Sequence, residues 1–318
     1  MRVRFWGTRG SIPVALTSAD IRGKLEKALL SAAQRQLRSP ADVRRFIEQE
    51  LDFSVSHTYG GHSPCVEIDA GSGEILVCDM GSGARPLGGS LLARAQGRPL
   101  TINVFMSHVH WDHIMGFPFF APAYEPEATI RIHGCHDDIE RAFRLQQSAP
   151  FFPVDFSRLA ASIEFVKLTP GAASSICGFS VLPMLQRHTG DSYGYRFERE
   201  GKSIVYSTDS EHKLEDAAQT AAFREFFRGA DLVIFDAMYS LADAVSVKED
   251  WGHSSNIVAV ELAQMAGVKR LCLFHHEPAF DDERIDAVLR ETVRFEQLTR
   301  PREPLAVCAA YDGLELEV

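Results

Sequence analysis

The sequence predicts an α/β protein built as a four-layer α/β/β/α sandwich. Strand-like runs fill most of residues 58–107 and recur between 129 and 207. From residue 216 onward, helical periodicity alternates with short apolar strands. No internal repeat, low-complexity tract or Pro-rich linker divides the chain. Strand-heavy halves that each end in helices bury their apolar faces as two sheets covered by helices. With 318 residues and 45% hydrophobic content, one domain spanning 1–318 is expected, with a core that needs no staples.

The chain opens with a strand, Arg2 to Trp6, and a glycine-rich turn, GTRGSIP. Residues 17–51 then change period. Ile21, Leu25, Ala28, Leu29, Ala32 and Ala33 share one helical face, with Thr17 and Asp20 placed to cap its start. A second helix begins with Ser39 as N-cap and Pro40 in the first turn, and Val43, Phe46, Ile47 and Leu51 continue its apolar side. This pair interrupts a strand-rich context and reads as a packed helical insertion of about 17–51. CVEID, EILVCDM and TINVFMS follow as strands between Gly/Ser turns. Further strands are expected at 129–133, 163–168, 178–186, 193–198 and 202–207. Helices at 216–228, 254–266 and 282–298 alternate with the strands DLVIFDA, KRLCLFH and LAVCAAY.

Composition narrows the function. Thirty-three basic against 43 acidic residues leave a net charge of −10, which disfavours a large polyanionic partner. The six cysteines form no C-x-x-C pair and read as buried free thiols in a reducing compartment. No apolar leader and no run long enough for a membrane span are visible, so a cytoplasmic protein is expected.

The strongest local signal is the string His108-Val-His110-Trp-Asp112-His113, which ends a β-run. Alternation puts His108 and His110 on one side, and a turn then lets Asp112 and His113 face a second ion. Imidazole and carboxylate donors suit Zn²⁺, and also Mn²⁺, Fe or Co. His188, Asp209 and His275 each sit just past a strand's C-terminal end, where open sheets place their sites.

These residues resemble the metallo-β-lactamase superfamily of binuclear metallohydrolases. The strings W-G-T-R-G-S-I-P, S-T-D-S-E-H, W-G-H-S-S and L-F-H-H-E-P resemble its tRNase Z-like and cyclic-nucleotide phosphodiesterase branch, anti-Pycsar enzymes included. The resemblance implies two divalent ions, zinc first. It gives one His108, His110 and His188, the other Asp112, His113 and His275, with Asp209 bridging them. His276 competes with His275, and the L-x-L-x-H pattern aligns on His275. The bridging Asp209 sets the chain apart from most true β-lactamases. His253-Ser254-Ser255 is similar to the H-S-T element of tRNase Z-like phosphodiesterases, where the histidine meets the scissile phosphate. The implied mechanism is attack on phosphorus by a hydroxide bridging the metals. His253 protonates the leaving oxygen, and Asp112 both ligates and orients the nucleophile. Ser254 and Ser255 at a helix start are expected to bind the phosphate. His212 is a candidate to line the pocket, and His62 stands where relatives often carry Asn. Asp236 is expected to support a ligating histidine. His133 and His136, around Cys135, fit a strand end and a helix start better than a third metal site.

The expected substrate is a cyclic nucleotide or another small phosphodiester, because no basic arm for tRNA is visible. The aromatic run FPFFAPAY, residues 117–124, reads either as core or as a base-stacking surface. Alternatives are an ester, thioester or lactone hydrolase on the same metals, a tRNA 3′-endonuclease-like nuclease, and an inactive metal-binding interaction module. A homodimer is expected, with the exposed side of the insertion as a candidate surface, and no membrane association or stable nucleic-acid binding.

Overall fold

The structure, a computed structural model, describes residues 1–71, 73–239, 252–301 and 303–318. Trp251 of the W-G-H-S-S string lies outside the described residues. Two mixed seven-stranded sheets face each other. The first contains β1 (Arg2–Gly7), β2 (Cys65–Asp69), β3 (Ile75–Cys78), β4 (Leu100–Phe105), β5 (Ala128–Gly134) and β6 (Ser162–Lys167). The second contains β7 (Ser174–Ile176), β8 (Phe179–Gln186), β9 (Ser192–Arg199), β10 (Lys202–Ser207), β11 (Leu232–Asp236), β12 (Arg270–Phe274) and β13 (Ala306–Ala309). The last strand, β14 (Glu315–Glu317), returns to the first sheet, so the orders are β14-β1-β2-β3-β4-β5-β6 and β13-β12-β11-β10-β9-β8-β7.

Strand alternation sorts the side chains into three apolar layers. In β10, β11 and β12, Ile204, Tyr206, Leu232, Ile234, Cys272 and Phe274 point between the sheets. Their neighbours Val205, Val233, Phe235, Leu271 and Leu273 point outward to α7 (Ala217–Phe227), α8 (Asn256–Ala266) and α9 (Asp282–Thr299). On the other side, Leu76 and Cys78 face inward while Val77, Ile102 and Val104 meet α4 (Ala84–Ala95) and α6 (Ile139–Gln146). The result is the four-layer sandwich that the sequence predicts. Fully buried Phe105, Phe197 and Tyr206 anchor its middle layer, each worth about 1.5–3 kcal/mol of transfer free energy. No helix among the described residues is long and apolar enough to cross a membrane.

Parallel pairing runs through β3-β4-β5-β6 in one sheet and β10-β11-β12-β13 in the other. The Tyr193 amide, at the start of β9, donates to the Ser107 carbonyl just past β4 (2.9 Å), tying the two sheets together beside those strand ends.

Two expectations need correction. Residues 84–95 form a helix inside the stretch read as strands. Its Gly-rich start looks like a turn, but Ala84, Leu87, Gly88, Leu91 and Ala95 are buried at helical spacing. The helices of 17–51 are α1 (Ser18–Ala32) and α2 (Pro40–Gln49), and α3 (Phe53–Ser56) follows. Their caps form as the sequence suggests: Thr17 and Asp20 make a capping box, and Ser39 accepts from the Asp42 amide. The apolar stripe of α1, however, is not packed. No residue of α1 is buried, and Leu29 and Leu30 are 70% and 76% exposed. Polar ties hold the helix instead: Lys24 Nζ lies 2.6 Å from Asp282 Oδ2 and donates to the carbonyls of Ser54 and His57. The aromatic run forms two 3₁₀ turns with Phe117 and Phe120 buried in the core and Phe119 exposed.

Replacing Leu25, Leu29 and Leu30 together by serine should shift the free energy of unfolding in urea by no more than about 0.5 kcal/mol per site. Phe46→Ala, at the buried position of α2, should cost about 3 kcal/mol in the same titration.

Candidate metal centre

The site lies at the ends of β4, β8, β10 and β12, which deliver His108, His188, Asp209 and His275. A one-turn helix, α5 (Trp111–Ile114), adds Asp112 and His113. His108, His110 and His188 form one cluster of donors, and Asp112, His113 and His275 form another. Asp209 stands between them. Its Oδ2 lies 3.7 Å from Nε2 of both His108 and His188. Its Oδ1 lies 3.2 Å from His113 Nε2 and 3.3 Å from His275 Nε2. Asp112 Oδ2 closes the second group, 3.2 Å from His113 Nε2 and 3.4 Å from His275 Nε2. Donors placed about 2.1 Å from a tetrahedral ion are about 3.4 Å apart, which is the spacing seen here.

The far sides of the rings are spoken for. Ser107 Oγ donates to Asp79 Oδ2 (2.7 Å), so it accepts from His108 Nδ1 (3.0 Å). His113 Nδ1 donates to the same Asp79 oxygen (2.8 Å), and His188 Nδ1 donates to the Gly252 carbonyl (2.9 Å). These partners set the tautomers so that Nε2 carries a lone pair toward the centre. His110 turns its Nδ1 inward, 3.2 Å from His188 Nε2.

Four buried atoms, His108 Nε2, Asp112 Oδ2, His113 Nε2 and His275 Nε2, have no hydrogen-bond partner. Buried polar atoms are almost always paired, and a cation in each cluster would satisfy all four. Burial acts to raise the Asp112 and Asp209 carboxyls, yet the surrounding histidines hold both well below the usual carboxylate range. Burial, with His113 beside it, pushes His108 well below the usual imidazole range. Ionised carboxylates among imidazole lone pairs in a dry pocket fit a divalent metal ion.

The backbone is strained here. Asp79, Asp209 and His275 all hold left-handed φ, at 60°, 47° and 59°. Gly10, from the W-G-T-R-G string, approaches His275 so closely that a Cβ would stand 2.7 Å from the imidazole. His276 is drawn away, its Nε2 2.8 Å from the Ala310 carbonyl. His275 is therefore the one of the pair that faces Asp112.

His253 borders both clusters. Its Nδ1 lies 2.8 Å from Asp236 Oδ2, and its ring is 5.1 Å from that of His275 and 5.2 Å from that of His188. Burial by itself would lower its pKa, but Asp236 outweighs burial and raises it to about 9. Asp236 was expected to support a metal ligand. It serves His253 first, since its Oδ1 is 3.8 Å from His275 Nδ1.

Three expected pocket residues point elsewhere. Ser254 Oγ donates to the Ser210 carbonyl (2.6 Å) and accepts from the His212 amide. Ser255 caps α8 by accepting from the Val258 amide. Both are buried structural ties. His212 turns into a box of Phe223, Phe227 and Phe235, where neither ring nitrogen has a partner. His62 is half-buried, with Nδ1 3.0 Å from Ser82 Oγ, and belongs to no donor cluster among the described residues. His133 stacks on Phe105, and His136 packs edge-on to Tyr193.

Asp79 escapes a reading of the sequence. It follows β3 in DMGSG, with no neighbouring ligand to mark it. The trace it does leave is a carboxylate past a strand's C-terminal end, the position that singles out Asp209.

A family model described as the beta-lactamase superfamily domain matches residues 68–276. The chain is 25% identical over 273 residues to a ribonuclease Z of Bradyrhizobium sp., covering 71% of this chain and 88% of that one. A shorter match, 34% identical over 106 residues, joins it to ribonuclease Z of Brevibacillus brevis and spans 33% of this chain and 31% of that protein. Among solved structures, the metallo-beta-lactamase fold protein YhfI from Bacillus subtilis superposes with a TM-score of 0.66 at 19% identity, over 100% of this chain and 99% of that one.

Asp79→Asn should weaken zinc binding about 10- to 100-fold in a chelator competition titration, because His113 loses the anion that orients it. A second expectation concerns His212, whose burial pushes its pKa down to about 3. The unfolded chain takes up this proton near pH 6.5 and the native state does not, so stability falls as pH drops from about 6.5 toward 3. His212→Phe should flatten that fall by up to about 1.4 kcal/mol per pH unit, read from urea unfolding at pH 7, 6 and 5.

Proposed function

With the chain belonging to the beta-lactamase superfamily and acting as a metal-dependent hydrolase, we propose that it is a phosphodiesterase for a cyclic nucleotide or another small phosphodiester. The observation that carries this reading is the His253–Asp236 pair beside the donor clusters. Acyl hydrolysis has no need of a second, oriented imidazolium next to the metal ligands. Phosphodiester hydrolysis does, because a poor alkoxide leaving group must be protonated as it departs.

Two divalent ions, zinc first, would be held by His108, His110 and His188 on one side and by Asp112, His113 and His275 on the other, with Asp209 shared. Bound there, they supply Lewis acidity toward the phosphoryl oxygens and a nucleophile at neutral pH. The chain's own groups do the rest. Asp209 uses one oxygen for each cluster and so fixes their separation. Asp112 keeps its Oδ1 to orient the attacking water. Asp236 accepts from His253 Nδ1, which leaves the protonated Nε2 to give its proton to the leaving oxygen.

The ribonuclease Z relatives support phosphodiester bonds as the target. The net charge of −10 supports a small substrate over a polyanion.

The zinc-loaded protein and its His253→Ala variant should be compared on 3′,5′-cyclic nucleotides, bis(p-nitrophenyl) phosphate, a precursor tRNA, and ester, lactone and β-lactam controls. On the cyclic nucleotides, whose leaving group is an alkoxide, the variant should lose about 10²- to 10⁴-fold in kcat. It should lose far less on bis(p-nitrophenyl) phosphate, whose leaving group needs no proton. Turnover confined to esters or lactones, or a variant with unchanged rate on cyclic nucleotides, would refute the proposal.

A further inference from the structure

Trp111 stands apart from its neighbours in the chain. It lies between His110 and Asp112, yet its side chain is 72% exposed. Tryptophan is among the most buried residue types on average, and an indole left in water forfeits a large apolar area. The following three residues of α5 all turn inward: Asp112 and His113 to the donor cluster, Ile114 to the helix-side core.

The clusters differ in how they meet solvent. Asp112, His113 and His275 are buried, whereas His110 is exposed. Solvent therefore reaches the centre on the side of His110, and Trp111 is bonded to that residue. Gly190 lies near it, where an added Cβ would stand 3.7 Å from His110 Nε2. Gln146 Nε2 donates to the Ile114 carbonyl (2.9 Å), so the end of α6 holds α5 in place.

We infer that Trp111 is the platform on which the aromatic base of the substrate stacks, so that the enzyme selects phosphodiesters carrying a nucleobase over those that lack one. The inference rests on the phosphodiesterase reading above, which puts the phosphate at the donor clusters. Trp111 is the exposed aromatic joined to His110, so we place a planar group attached to that phosphate and entering past His110 on the indole. Stacking tolerates any base, since each has a π-face, so Trp111 selects for a base without choosing among bases.

The test uses the zinc-loaded full chain with Trp111→Ala and Trp111→Phe. The substrates are purine and pyrimidine 3′,5′-cyclic nucleotides and the base-free ribose 3,5-cyclic phosphate. Trp111→Ala should raise KM for the nucleotides roughly 10- to 100-fold with little change in kcat, and leave KM for the base-free compound unchanged. Trp111→Phe should retain most of the affinity. Equal effects on both substrates, or none on either, would overturn the inference. So would an unchanged KM accompanied by a halved mass in solution, which would make the indole a contact between copies.

Binding gives a readout free of turnover. Adenosine and uridine 5′-monophosphate should quench tryptophan fluorescence in the wild type, ribose 5-phosphate should not, and Trp111→Phe should abolish the quench. A quench without phosphodiester turnover would keep the stacking site and remove the phosphodiesterase reading. Turnover without quench or KM split would do the reverse.

Discussion

The centre depends on one carboxylate, that of Asp79. It is fully buried, holds a left-handed backbone conformation and bonds to both sheets. From the first sheet it takes the Ser107 amide, the Ser107 hydroxyl and His113 Nδ1. From the second it takes the Tyr206 hydroxyl (2.7 Å). A buried carboxylate is tolerable only when it is hydrogen-bonded, and here three donors reach Oδ2 and one reaches Oδ1. The same bonds fix where His108 and His113 turn. One side chain that lies outside both donor clusters thus helps join the two sheets and sets the direction of two imidazoles.

Much of this was legible in the chain. The H-x-H-x-D-H string and the three later donors past strand ends contain the whole cluster, and strand alternation contains the layers. The missing parts share a physical cause. Asp79 and Tyr206 act across the sheet interface, and no local pattern records which polar residue will meet which at that distance. The helix α4 hid behind glycines that pattern alone reads as turns. The stripe on α1 misled in the other direction. Periodicity shows that Ile21, Leu25 and Leu29 share a face, but it does not say that anything covers that face. His212 and the two serines after His253 look like pocket residues because they lie next to the donor residues in the chain. Their hydrogen bonds and aromatic neighbours show side chains spent on joining Asp209's loop to the start of α8.

The centre is also lopsided. One cluster is sealed beneath the turn of α5 and the Gly10 loop, and the other opens to solvent through His110. The sealed side can hold charge in a dry setting, where electrostatic effects are strongest. On the open side, His110 itself is exposed. His253 sits between them, its ring 5.1 Å from that of His275 and 5.2 Å from that of His188.

The tie between the sheets has a consequence for how the chain matures. Donors are drawn from His108 to His275, and neither sheet holds a full set alone. Each sheet can in principle form early from its own hairpins and crossovers, but pairings between distant parts of a chain come late and slowly. A chain with two well-formed sheets that have not yet docked would present isolated histidines and no pocket. Metal capture would then mark the end of assembly, and a copy stalled before docking would stay inert in place of becoming a half-active hydrolase.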